Sequence, residues 1–508
     1  MVAAIFLSLI LLALVVVLFL FTQCRRRLGN IPPGPRGLPL VGYMPFLKKH
    51  DAKPYMALLK LSQIYGPVTG FYMGPSFTVS VCGYEAVVEA LHNEDLNGRP
   101  DSAARRERTF GKRLGLMFID GDFFREQRRF TLRHLRDLGF GRTSAEDMIH
   151  EEIRELIHVI SDQSTSDPDR IVDFKSGIFN RSVLNILWAL IGGERFSRDD
   201  ARLTSLMDMV DFFNRNFKPQ SANVAVPAFL LRMFPSLRKI IGLRNDIFEP
   251  LQNFMRSIIE EHARSREEIP RDFIDVYLKE MEKQQIELPE DQKQSTSFHV
   301  EQLISAIIDL FLAGSETSSN AIGFAILYMT HYPEVQRKMQ AELDQVCGDS
   351  LPSLSHRPNL VYTEAVLIET LRLANVAPLA LMHCASKDTQ LRGFDIPKTS
   401  LLLINLYSVN MDETYWTDPQ VFRPERHLDS DGIQLKKSER LMPFGLGKRQ
   451  CLGEPLARNS FFLFTAALVK AFQLEAVPDR PLPTLDPLTG VTNGYQGFQA
   501  IVTPRISK

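Results

Sequence analysis

Phe444-Gly445-Leu446-Gly447-Lys448-Arg449-Gln450-Cys451-Leu452-Gly453 is the stretch whose reading decides the fold of this chain. It sets one cysteine in a glycine-rich loop two residues after an arginine, an arrangement that presents a thiolate as an axial ligand to haem iron. A thiolate pushes electron density onto the iron and favours O–O cleavage, so the loop points to oxygen activation. The glycines Gly445, Gly447 and Gly453 are expected to let the backbone turn tightly beside the macrocycle. Phe444 covers the sulfur, Arg449 answers a haem propionate, and backbone N–H groups aimed at the sulfur hold it deprotonated. A lone cysteine is most often an inert buried thiol; the joint pattern argues for a ligand.

The segment resembles the haem-binding signature of the cytochrome P-450 superfamily, Phe-x-x-Gly-x-Arg-x-Cys-x-Gly, at every fixed position. The resemblance implies a mainly α fold with small β-sheets, a long central helix over haem b, and the cysteine loop near the C-terminus. At 508 residues the chain exceeds a typical single core, yet no Pro/Gly/Ser linker divides its middle, so one large helical domain is expected. Lys+Arg 59 against Asp+Glu 60 leaves the chain near neutral and gives no case for nucleic acid. The five cysteines form neither a CxxC pair nor a regular spacing, which argues against a zinc site or a disulfide scaffold.

Residues 1–22 are almost wholly apolar, long enough for a transmembrane helix, and stop at Arg25-Arg26-Arg27. The arginines follow the span, so the reading is an uncleaved signal anchor with the rest of the chain in the cytosol. The proline-rich run Pro32 to Pro39 follows, and residues 23–42 read as a stop-transfer and a stiff hinge before a catalytic domain over 43–508. Microsomal members of the superfamily carry a similar hinge. The resemblance therefore places the protein in the endoplasmic reticulum membrane. The sequon at Asn180 reads as accidental, since this part should not enter the lumen.

A hairpin is expected from Thr69 to Met73 and Thr78 to Val81 through Gly74-Pro75, and a second β region from Thr389 to Asn405. Leu303, Ile307, Leu310 and Gly314 recur at helical spacing and predict one long helix over residues 297–332, ended by Pro333. Within it lies Ala313-Gly314-Ser315-Glu316-Thr317-Ser318. Gly costs about 1 kcal/mol relative to Ala in a helix interior, and Thr can bond the carbonyl four residues back. On residues alone a surface Glu and a packed Thr explain this turn. The superfamily's oxygen-activation pattern matches it, and implies Thr317 and Glu316 as the catalytic proton relay beside Gly314.

Further elements follow from the same resemblance. Glu369 and Arg372, three apart on one helix face, with Arg426 some fifty residues on, match the structural Glu-Arg-Arg triad. Phe124 to Arg128 resembles the Trp-x-x-x-Arg element that holds a propionate, with Phe124 in place of Trp and so without the indole N–H. Arg99 and His383 are further propionate candidates. Arg125, Arg129, Arg133 and Arg136 fall on one helical face and read either as a solvated stripe or as a docking face. The resemblance favours docking of a flavin-containing NADPH-cytochrome reductase, with cytochrome b5 as a second candidate donor; Lys448, Lys436, Lys437 and Arg440 would add charge.

The chain most resembles the family-two branch of microsomal enzymes, and Phe123 to Phe130 resembles arthropod members. The implied activity is NADPH-dependent insertion of one oxygen atom into a lipophilic substrate, such as a hormone, steroid, terpenoid, fatty acid or foreign compound. Two rivals stay open: a haem-thiolate isomerase or dehydratase that needs neither O2 nor reductase, and a non-catalytic haem or lipid carrier. The expected pocket runs along residues 102–120, Phe212, Phe213, Ala313, residues 376–379 and 492–495. The apolar run from Val224 to Phe234 suits either a buried helix or a dip into the membrane interface.

Overall fold

The computed structural model describes residues 29–38, 41–140, 145–175, 177–197, 200–216, 245–293 and 295–505. The readings for residues 1–22, for the Phe212 and Phe213 side chains and for Val224 to Phe234 fall outside the residues or side chains described. Among the described residues no helix is long and apolar enough to cross a membrane.

Apolar residues spaced three and four apart over 303–329 bury one helix almost all round, and it runs unbroken over Val300–His331. His299 caps its start, accepting from the Gln302 N–H. Pro333 contributes no N–H, so the chain breaks at Tyr332 and restarts as Pro333–Cys347 with proline in the first turn. In chain order the helices that position the site are α1 (Tyr84–His92), α2 (Gly121–Asp137), α3 (Asn180–Gly192), α4 (Val300–His331), α5 (Val361–Ala374) and α6 (Glu454–Ala471). Helices α3, α5 and α6 all pack against α4. One large core runs through them, including Trp188, Ile304, Ile307, Phe324, Phe462 and Phe464.

The β structure is small and peripheral, as expected of a mainly α fold. The predicted hairpin forms from β1 (Val68–Met73) and β2 (Ser76–Val81), one residue longer at β1's start and two longer at β2's. The region from Thr389 to Asn405 splits into β5 (Thr389–Leu391), β6 (Phe394–Ile396) and β7 (Leu401–Ile404). With β4 (His383–Cys384), β7 completes a sheet ordered β1-β2-β7-β4, in which β2 and β7 run parallel. A three-stranded sheet orders β3 (Ile171–Phe174), β11 (Phe498–Pro504) and β8 (Phe472–Ala476) as β3-β11-β8, and β9 (Leu488–Thr489) pairs with β10 (Asn493–Gly494).

The proline-rich run differs from a free spacer. Gly70 N–H of β1 donates to the Pro33 carbonyl at 2.8 Å, and Asn30 N–H donates to Asp395 Oδ2 at 2.9 Å. Prolines lack the donors to join a ladder but their carbonyls still accept, so this segment lies along β1 as part of the globule. Asn180 is only 6% exposed, which closes the sequon to modification.

Candidate functional site

The cysteine loop is fixed at both ends. Cys451 N–H donates to the Phe444 carbonyl at 2.9 Å, and Gly453 caps α6. Gly445 and Gly447 adopt φ of +70° and +71°, and a Cβ on Gly447 would stand 2.4 Å from the Leu91 carbonyl of α1. Gly453 departs from expectation: its φ is −83°, and a Cβ there would make ordinary contacts with Cys451 Sγ and Phe140. Its smallness is therefore not demanded by the protein itself. Cys451 is accessible, yet its opening is to an internal cavity of about 500 Å³. Burial pushes the thiol up, while backbone N–H groups of Gly453 and Glu454 and the Arg128 charge pull toward the thiolate. Phe444 lines the same cavity and lies under the Arg458 guanidinium, 4.7 Å from its ring centre.

A second wall of that cavity is cationic. Arg99, Arg105, Arg128, His383 and Arg449 all line it. The Arg449 guanidinium lies 3.6 Å from the Phe124 ring centre and donates to the Asn97 and Ile119 carbonyls at 2.9 and 2.8 Å. Arg128 donates to the Gln450 carbonyl at 2.6 Å, which ties α2 to the cysteine loop. Arg99 donates to the Leu381 and Met382 carbonyls at 2.5 and 2.8 Å. His383 Nδ1 lies 2.9 Å from the Leu96 carbonyl. Burial, then the neighbouring Arg449 and Arg105 charges, holds Arg99 well below the usual arginine range; burial brings Arg105 and Arg449 to about 10. Burial and Arg99 hold His383 well below the usual histidine range, so it is neutral. Arg99 Nε is buried with no hydrogen-bond partner among the described residues.

The third wall is α4. Ala313, Gly314, Glu316, Thr317 and Ser318 line the cavity. Thr317 Oγ1 donates to the Ala313 carbonyl at 2.7 Å, the back-bond expected of a helical threonine. Gly314 has a steric role: a Cβ there would stand 2.8 Å from Leu187 Cδ1 of α3. Glu316 Oε2 accepts from Thr492 Oγ1 at 3.2 Å.

Compared with known proteins, residues 32–502 match the cytochrome P450 family. The chain belongs to the cytochrome P450 family. It is 34% identical to the farnesoate epoxidase of Bombyx mori over 97% of this chain and 98% of that one. It is 36% identical to cytochrome P450 2B2 of Rattus norvegicus, over 92% of this chain and 93% of the relative, and to cytochrome P450 2J2 of Homo sapiens, over 95% and 93%. It is a member of a family of haem-thiolate monooxygenases, and the donor set fits that cofactor. A thiol and a buried cationic wall with an orphaned guanidinium nitrogen open on one cavity, which suits iron and the two carboxylates of a haem.

The triad predicted for this P450 is assembled, and it is larger than predicted. Arg372 grips Glu369 with two bonds of 2.8 Å, and Arg426 Nε donates to Glu369 Oε1 at 3.0 Å. Two partners were not predicted: His427, whose Nε2 lies 2.7 Å from Glu369 Oε2, and the Arg423 N–H, which donates to Oε1 at 3.0 Å. Burial alone would raise the Glu369 carboxyl, but Arg372 and His427 bring it down to about 2. A depressed carboxyl stabilises the fold fully above its unfolded pKa of about 4.3 and loses that contribution as pH falls through about 2. Infrared titration of isotope-labelled protein should find this carboxylate ionised down to about pH 2, with the acid loss of stability between these limits; protonation near pH 4 would contradict the network.

Around the chamber the expected segments contribute in part. Leu116, Met117 and Phe118, then Val376 to Leu379, line it as predicted, but Tyr495 turns into the core and Thr489 to Thr492 take its place. Arg105, within the expected 102–120 segment, also lines it, whereas Val183, Ile186 and Leu187 of α3 and Asp309 of α4 were not anticipated. Arg108 and Asp309 form an ion pair that is 1% exposed on both sides, and Asp309 Oδ2 also accepts from the Leu116 and Met117 N–H groups at 2.6 and 2.8 Å. This pins the loop that roofs the chamber to α4. No local pattern in the sequence joins this pair, whose members lie 201 residues apart.

The arginine stripe lies on α2 as drawn from the sequence: Arg125, Arg129, Arg133 and Arg136 are exposed, while Arg128 on the other face turns inward. Arg125 pairs with Asp122, and Lys448 with Glu94 at 2.5 Å. Lys436 and Lys437 are exposed. Arg440 differs: it is held by Asp412 at 2.7 Å and stacked between Tyr84 and Tyr415, so it is a structural group and not a docking charge.

Proposed function

We propose that this P450 is an NADPH-dependent monooxygenase that hydroxylates or epoxidises a lipophilic substrate, with Cys451 as the axial ligand of haem b. The observation that carries the reading is one cavity shared by the Cys451 thiol, the arginine wall and the Gly314 to Thr317 turn. Haem held there supplies the activation of O2 by electron donation from the thiolate. Arg99, Arg128, His383 and Arg449 would hold its propionates, with Arg105 added to the set. Phe124 offers no N–H and acts through its ring face, against which Arg449 is stacked. Glu316 and Thr317 pass protons into the chamber, the acid as source and the hydroxyl as relay.

Electrons come from a flavoprotein NADPH-cytochrome reductase docked on Arg125, Arg129, Arg133, Arg136 and Lys448. Residues 1–22 anchor the chain in the endoplasmic reticulum membrane with the catalytic unit on the cytosolic side. The lining is dominated by apolar side chains such as Leu116, Phe118, Leu187 and Val376, which suits a lipophilic substrate. The 34% identity to a farnesoate epoxidase supports a terpenoid acid as the first compound to try.

The test is turnover of farnesoic acid by the protein with reductase and NADPH under isotopically heavy dioxygen. One labelled oxygen atom should enter the product, and product formed without NADPH would replace this reading with the isomerase one. In Thr317→Val, product formation should fall by about tenfold to a hundredfold while NADPH consumption continues and hydrogen peroxide appears. Unchanged coupling would remove Thr317 from the relay.

A further inference from the structure

The turn between β9 and β10 is laid along a single stripe of α4. Thr492 donates to Glu316, Gly494 sits where a Cβ would be 3.2 Å from Asn320 Oδ1, and Tyr495 covers Gly323, whose Cβ would stand 2.1 Å from its ring. Positions 316, 320 and 323 are four and three residues apart, so they share one helical face. The turn is also rigid at its base. Thr489 pairs with Asn493, and the Gly490 N–H donates to the Thr492 carbonyl at 2.9 Å. Asn493 donates to the Val376 and Asn375 carbonyls at 2.8 and 3.0 Å.

This docking joins two parts of the chamber. Thr489, Gly490, Val491 and Thr492 line it beside Val376, so the turn is within reach of substrate. Its contact with α4 falls on the acid next to Thr317. The Thr317 proton is already given to the Ala313 carbonyl, so its oxygen can accept from a neighbour, and Glu316 is the adjacent ionisable group. A glutamate side chain has three rotatable bonds, and only some of its rotamers face the hydroxyl next to it. An added donor fixed on a rigid turn selects among them.

We propose that Thr492 is a positioning residue for the Glu316 carboxylate, and that its hydroxyl ties proton delivery to the turn that contacts substrate. The proposal rests on the monooxygenase reading. Thr492 itself transfers no proton to substrate; it sets where the acid points.

Thr492→Val keeps the shape and removes the donor, and Thr492→Ser keeps the donor. The carbon-monoxide adduct of each variant would be compared by the width and position of its C–O stretching band, which reports polar groups in the chamber and needs no turnover. Thr492→Val should broaden or split the band, and in the reconstituted system with farnesoic acid should release about tenfold more hydrogen peroxide per NADPH. Coupling is compared at saturating farnesoic acid, so that a change in its binding does not enter the comparison, and Thr492→Ser should behave as the parent. A valine variant with the parent's band and coupling would overturn the proposal. So would a serine variant as defective as valine, since packing and not the hydroxyl would then matter. If the parent protein gave no thiolate-type adduct at all, the monooxygenase reading would fall first, and the proposal with it.

Discussion

Replacing Cys451 by alanine is expected to abolish the red-shifted Soret band of the reduced carbon-monoxide adduct and with it all monooxygenase activity. The expectation rests on exclusivity among the described cysteines. Cys82 and Cys347 are buried in protein contacts, and Cys384 is half-buried in β4 beside β7, so Cys451 alone opens on the cavity. Burial raises the Cys82, Cys347 and Cys384 thiols, the last to about 11, and none lies where backbone N–H groups converge as they do at Cys451. Without the thiolate, an iron bound in the chamber loses the electron donation that drives O–O cleavage. Cys384→Ala should leave the band untouched. A parent protein with a histidine-type band, or a Cys451→Ala protein that keeps the thiolate-type one, would refute the ligand assignment.

Arg372→Ala is expected to remove haem from the protein as expressed, through loss of fold around the site and not through any contact with it. The Arg372 guanidinium is fully buried, makes two bonds to Glu369, donates to the Asn410 carbonyl at 2.8 Å and lies 5.3 Å from the Trp416 ring centre. Breaking one member of such a network leaves a buried charge short of partners and costs about 3 to 5 kcal/mol. That is a large share of the 5 to 15 kcal/mol that typically separates folded from unfolded domains. Arg372→Lys should recover little, because an ammonium cannot bond both carboxylate oxygens in plane. The ratio of Soret to protein absorbance, read beside the urea midpoint, checks this. A fully loaded Arg372→Ala protein with the parent's midpoint would show the network to be dispensable.

What was legible in the sequence was what local chemistry demands. The cysteine loop, the Thr317 back-bond and the long helix each depend on residues within a few positions of one another, and each stands where it was expected. The resemblance extended this to Glu369, Arg372 and Arg426, which local spacing leaves as a weak surface pair. His427 directly follows Arg426, but its bond to Glu369 spans 58 residues and depends on tertiary placement. Arg108 with Asp309 and Thr492 with Glu316 lie 201 and 176 residues apart, and no periodicity or motif joins such partners. Gly453 and Arg440 show the converse. Their types suited the roles assigned, but an ordinary φ and an aromatic clamp give them others.

The arginine wall has a consequence for how much of this protein a cell can hold. Arg99, Arg105, Arg128 and Arg449 are brought together inside the globule, with Asp120 offsetting Arg99 and Arg449 and Asp101 offsetting Arg105. Like charges gathered out of water oppose folding until an anion joins them, and a ligand that binds only the folded chain shifts the folding equilibrium in proportion to the logarithm of its free concentration. A dianionic porphyrin held by this wall would be a folding partner as well as a reagent, and the yield of intact protein should then rise with porphyrin supply.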